Sequence, residues 1–187
     1  LRIANSPWRL TPPASLRKSQ KQWLMRAGAL TTGLRVLGTL KLRVINEFSG
    51  ALSRDEAQCL QQPVGGPVWI REVVMSIDGT DCVVARSLTP LMASHGTWKG
   101  MRHLRSRPLA DILYHERSIV RSAFEVARVK RGIPLHQTAC SISDHAMRDN
   151  NALRTLLARR SVFWRNGYPL LVAECFLPEF WIKTSAG

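Results

Sequence analysis

"VWIREVVMSIDGTDCVVARSLTP", residues 68–90, sets two apolar runs on either side of the turn residues Asp78–Asp81. β-branched runs flanking an Asp-Gly pair predict an antiparallel hairpin. A second stretch repeats the signal: "SVFWR" (161–165) and "YPLLVAECFL" (168–177) flank Asn166-Gly167, a favoured two-residue turn. Upstream, "TLKLRVINEF" (39–48) alternates, with Leu40, Leu42 and Val44 facing one way and Lys41, Arg43 and Glu47 the other. That is the pattern of a half-exposed antiparallel strand. Strands joined by tight turns, without regular crossover helices, predict an antiparallel α+β fold.

The remaining segments read as helices and loops. Residues 1–14 carry three prolines and form an irregular lead-in. A helix follows with Ser15 as its cap and Leu16, Trp23 and Leu24 on its apolar side. A second short helical piece around Leu30, Leu34 and Leu37 is interrupted by Gly28 and Gly33 and stops at Gly38. Residues 50–67, with "QQPVGGP", read as loop. Between the hairpins the chain turns helical: Trp98, Met101 and Leu104 are evenly spaced, and "SRPLADILYH" offers Ser106 as cap with Pro108 in the first turn. Residues 132–155 read as irregular, with a short helix over "NALRTLLARR" (151–160), and residues 179–187 as a tail. Without an internal repeat, residues 1–187 are expected to form one domain.

Composition narrows the function classes. The chain has 187 residues, 45% of them hydrophobic, yet no apolar run long enough for a spanning helix. The N-terminus lacks the apolar centre of a secretory signal, so the cytoplasm is the expected compartment. Cys59, Cys82, Cys140 and Cys175 form no C-x-x-C pair, and a disulfide framework is not expected. The five histidines have no ligand spacing, so no metal site is expected. Neither a phosphate-binding glycine loop nor a G-x-S-x-G elbow is present. The net charge of +14 fits a nucleic-acid footprint, a field that draws a small polyanion into a cleft, or a basic proteome. The basic residues are scattered and no RNP-like motif accompanies them, so nothing further supports a nucleic-acid partner. Nor does the sequence suggest an obligate interface, and a monomer is expected.

Two charges are out of place. Glu174 shares its strand face with Leu170, Val172 and Phe176, and the other face is apolar as well. Arg71 shares its face with Trp69, Val73, Met75 and Ile77, leaving Glu72 as the solvent-facing neighbour. An ion in such a setting must be paired or hydrogen-bonded, because its desolvation is otherwise too costly. The two could bridge each other, Arg71 could snorkel past a sheet edge, or both could line a closed cavity and hold opposite ends of one ligand.

With these residues in view, the sequence resembles the chorismate lyase family. The similarity runs from about Trp23 to Pro178 through the ordered blocks "VWIREVVMSIDG", "VVARSLTP", "SRPLADILYHERSIVRSAFEVARV" and "GYPLLVAECFLP". The resemblance implies one antiparallel sheet of about six strands, helices packed on it, and helical flaps over an enclosed ligand. It implies conversion of chorismate to 4-hydroxybenzoate and pyruvate, the first step committed to ubiquinone synthesis, with no cofactor or metal. Arg71 would anchor the ring carboxylate, and Glu174 would meet the ring hydroxyl as orienting acceptor or as base. Leu30 and Leu109 fall at the flap positions, where backbone N–H groups and sealing side chains are used. Arg86 is a candidate cation for the substrate's second carboxylate, against its reading as a surface-facing strand residue, which is slightly favoured. The rival is a non-catalytic effector-binding domain of the same fold, as in certain bacterial regulators; the segment before Trp23 is too short for their winged helix.

Overall fold

Both turns form as their sequences require in the computed structural model, which describes residues 6–114, 116–142 and 153–185. Asp78 and Gly79 take φ of 51° and 82°, and Asn166 and Gly167 take 49° and 78°. Positive φ at both central residues matches the twist of the flanking strands. Ile77 therefore pairs with Thr80, and Arg165 with Tyr168.

The strands are β1 (Leu40–Ala51), β2 (Pro67–Ile77), β3 (Thr80–Pro90), β4 (Val120–Arg121), β5 (Glu125–Val129), β6 (Leu156–Arg165) and β7 (Tyr168–Phe176). They form one antiparallel sheet in the order β1-β2-β3-β7-β6-β4, with β5 also pairing β6. The α+β architecture is as expected, with the short β4 and β5 both lying along β6. Those two strands fall in a stretch whose periodicity reads as helical. Residues 156–160 are likewise strand, not helix, because they continue the ladder against Ala173–Phe176. Partner strands on both sides outweigh the local helix preference of Leu-Leu-Ala-Arg-Arg.

The helices are α1 (Lys18–Leu24), α2 (Leu30–Val36), α3 (Arg54–Leu60), α4 (Leu91–His95), α5 (Ala110–Leu113), α6 (Pro134–Ile142) and α7 (Pro178–Ser185). Helix α1 starts after Ser15, and the side chain of Gln20 accepts from the N–H of Arg17. Helix α3 occupies part of the stretch that reads as loop. Its Ser53-x-x-Glu56 capping box is the overlooked start signal: the Ser53 hydroxyl accepts from the Glu56 N–H, and Glu56 accepts from the Ser53 N–H. Gly33 lies within α2. Trp98, Met101 and Leu104 are buried around a 3-10 turn over Lys99–His103, which suits their spacing of three. Helix α5 begins at Ala110, beyond Ser106. The lead-in buries Trp8 and pairs Arg9 with Val126, and the tail forms α7 with Phe180 fully buried. Part of the irregular 132–155 stretch is α6, and the rest, residues 143–152, lies outside the described residues.

Two apolar clusters share one face of the sheet. Helices α1, α2 and α7 pack at one end on Val73, Met75, Ala85 and Phe176. At the other end α4, the 3-10 turn and α5 pack near Trp69, Phe163 and Leu170. The gap between the clusters is where a ligand could sit.

The opposite face corrects two expectations. Glu72 and Arg86, read as surface-facing, are 5% and 7% exposed. They are direct cross-strand partners, and Arg86 bonds Glu72 at 2.6 Å and Glu56 of α3 at 2.7 Å. Thr138 of α6 donates to Glu72 at 2.6 Å. Beside this group Arg160 bonds Asp55 and Glu125. With helices on both faces of the sheet, the less apolar face of β2 is still an interior one. Arg86→Ala should leave two buried carboxylates without their cation and destabilise the fold by about 3–5 kcal/mol. Denaturant unfolding checks this, and a midpoint within error of the parent would contradict it.

Candidate active site

Arg71 (β2) and Glu174 (β7) project from the same face of the sheet, because the register runs Val73–Ala85–Glu174–Arg159 along one rung and Arg71–Ser87–Val172–Ser161 along the next. With β3 between them, the two residues are offset by two strand spacings across the sheet, about 9.5 Å, and by a further rung, about 6.8 Å, along it. They do not bridge each other, and Arg71 does not snorkel: it is 2% exposed. Both line one cavity, which Leu30, Leu109, Leu113 and Phe124 help to wall. Its empty volume is about 580 Å3, counting the space open to solvent at its mouth.

Each charge has a partner that the sequence did not reveal. The Arg71 Nε donates to Glu47 at 3.1 Å, and its Nη2 donates to the carbonyls of Arg105 and Arg107 at 2.7 and 3.1 Å. Strict alternation places Glu47 on the opposite face of β1. The register shift between Val44 and Asn46 reverses that assignment and sets Glu47 across from Arg71. Burial pushes the Arg71 guanidinium below its ordinary pKa, while Glu47 acts in the other direction.

Glu174 accepts from Arg159 Nε at 2.6 Å through Oε2, whereas Oε1 has no hydrogen-bond partner among the described residues. Arg159 is 1% exposed, and its Nη1 donates to the carbonyls of Trp23 and Arg26 at 3.3 and 2.9 Å. The signal for Arg159 was the one that exposed Arg71, a charge inside an apolar strand, but reading 151–160 as helix concealed it.

Leu30 opens α2 and Leu109 directly precedes α5. They are 3% and 8% exposed and roof the cavity from its two sides. N–H groups at the start of a helical turn are not used within it and can serve a ligand. Arg86 lies on the other face of the sheet and does not line the cavity. Among the described residues no cluster of three or more histidine, cysteine, aspartate or glutamate side chains could hold a metal ion. All four cysteines are free, and burial pushes the Cys59 thiol up to about 11. No described helix is long and apolar enough to cross a membrane.

One antiparallel sheet with helices over a cavity, its floor holding a buried guanidinium and a partly buried carboxylate, is the class of domain that the fold and site define. The effector domain of PhnF from Mycobacterium smegmatis shares the fold, with a TM-score of 0.54 and 14% identity over 81% of this chain and 90% of that one. So does the C-terminal domain of the histidine utilization repressor from Pseudomonas syringae pv. tomato, with a TM-score of 0.51 and 12% identity over 75% of this chain and 93% of that one. The family model for chorismate lyase matches residues 4–186. A probable chorismate pyruvate-lyase of Bordetella avium is 51% identical over 96% of this chain and 87% of its own length. Those of Bordetella pertussis and Pseudomonas fluorescens are 53% and 41% identical, over 93% and 94% of this chain and 90% and 91% of their own lengths. The chain belongs to the chorismate lyase family.

Proposed function

We propose that this protein is a chorismate pyruvate-lyase, cleaving chorismate to 4-hydroxybenzoate and pyruvate at the entry to ubiquinone synthesis. The observation that carries this reading is the pair Arg71 and Glu174, opposite in charge, two strands apart and lining one roofed cavity. Arg71 anchors the ring carboxylate, its fork of donors suiting a planar anion. Glu174 accepts the ring hydroxyl through Oε1 while Arg159 holds Oε2. Leu30 and Leu109 seal the chamber and offer backbone N–H groups to the carboxylate.

In the reaction the ether bond to the ring breaks, and the hydrogen on the hydroxyl-bearing carbon leaves. The enolpyruvyl methylene gains a proton and becomes the methyl group of pyruvate. Aromatisation supplies the driving force, so the chain's task is to position the dianion, exclude water and stabilise charge as the bond breaks. The positive charge of the protein favours capture of a dianion. The enzyme acts as a cytoplasmic monomer on this small molecule, without a cofactor, metal or nucleic-acid partner.

Incubating the pure protein with chorismate tests the proposal. 4-Hydroxybenzoate and pyruvate should form in equal amounts, far above the spontaneous rate. Tight binding of chorismate or 4-hydroxybenzoate with no turnover would instead identify a ligand-binding domain of the same fold.

A further inference from the structure

Chorismate carries a second carboxylate on its enolpyruvyl arm, and Arg86 lies on the wrong face of the sheet to meet it. The cavity wall holds three guanidinium groups, those of Arg71, Arg121 and Arg159. Two are neutralised, Arg71 by Glu47 and Arg159 by Glu174. Arg121 differs. Among the described residues no carboxylate lies within ion-pair distance of it.

Instead, Arg121 is braced by neutral groups. Its Nη1 donates to the Tyr114 hydroxyl at 3.1 Å, and its guanidinium lies 4.1 Å from the centroid of the Phe124 ring and 6.0 Å from that of Phe163. Aromatic faces hold a guanidinium in place without cancelling its charge. Cross-strand pairing with Phe163 turns Arg121 to the cavity face of the sheet. The same Phe124 ring has the Arg159 guanidinium at 4.4 Å, so Arg121 approaches the Glu174 end of the chamber. The enolpyruvyl ether is attached beside the ring hydroxyl, and that end is where its arm must lie.

We propose that Arg121, braced by Tyr114 and Phe124, is the subsite for the enolpyruvyl carboxylate. This rests on the reading of the protein as a chorismate pyruvate-lyase and adds the recognition of the dianion by a second cation. The unbalanced positive charge belongs to the half of the substrate that departs as pyruvate, so it distinguishes chorismate from the monocarboxylate product.

That asymmetry supplies the test. Arg121→Gln should raise KM for chorismate about 10-fold or more, the scale of one hydrogen bond to a charged group. The Kd for 4-hydroxybenzoate, which lacks the arm, should stay within about 2-fold of the parent, and Arg121→Lys should restore part of the KM. Unchanged KM in the glutamine variant, or equal weakening of substrate and product, would overturn the subsite. A parent protein that fails to turn over chorismate would overturn the lyase reading instead. The product titration also reports on folding, because an unfolded variant would not bind 4-hydroxybenzoate.

Discussion

Glu174→Gln is expected to lower kcat by about 100-fold or more, the scale of a positioned proton acceptor, while the protein stays folded. The amide keeps the shape of the carboxylate, and its oxygen can still accept from Arg159 Nε. What then faces the chamber is an NH2 group, which donates where the ring hydroxyl needs an acceptor. Ground-state binding of the carboxylate end at Arg71 is untouched, so KM should move much less than kcat. Following 4-hydroxybenzoate formation by its absorbance gives both constants, and parental kcat in this variant would remove Glu174 from the chemistry. Deuterium on the hydroxyl-bearing carbon separates the two possible roles of this residue. Retention of the label in the pyruvate methyl group means transfer within the substrate, with Glu174 only orienting it. Loss of the label to water means that the carboxylate carried the proton.

Arg71→Ala should weaken 4-hydroxybenzoate binding by about 100-fold or more, since truncating a buried charged partner costs at least about 2–5 kcal/mol. It also strips Glu47 and the carbonyls of Arg105 and Arg107 of their donor. The thermal midpoint should therefore fall as well. Arg71→Lys keeps the charge but cannot serve Glu47, two carbonyls and a ligand together, so it should fall between the parent and the alanine variant. Calorimetric titration below the melting transition checks this, and parental affinity in Arg71→Ala would place the carboxylate elsewhere.

The hairpins were legible because two-residue turns have strict backbone requirements, and Asp78-Gly79 and Asn166-Gly167 meet them. Arg71 and Glu174 were legible for a different reason, as ions among apolar strand neighbours. Their partners were not. Glu47 reaches the site only because a β-bulge reverses the alternation of β1, and a bulge leaves no clear mark in "LKLRVINEF". Arg159 sits in a segment whose residues favour helix, and only pairing with its neighbours makes it strand. Glu72 and Arg86 misled because an alternating pattern tells one face from the other without saying that helices cover both. Contacts distant in sequence decided each of these cases.

Arg71 and Arg159 each grip a carboxylate on the sheet and two carbonyls in a different overhead segment: Arg105 and Arg107 for the first, Trp23 and Arg26 for the second. Arg71 thus ties one segment to the sheet where it also faces the cavity, and Arg159 ties the other while holding Glu174. Lifting either segment would strip a buried guanidinium of two of its acceptors, so the roof is fastened down by the charged side chains of the cavity floor itself.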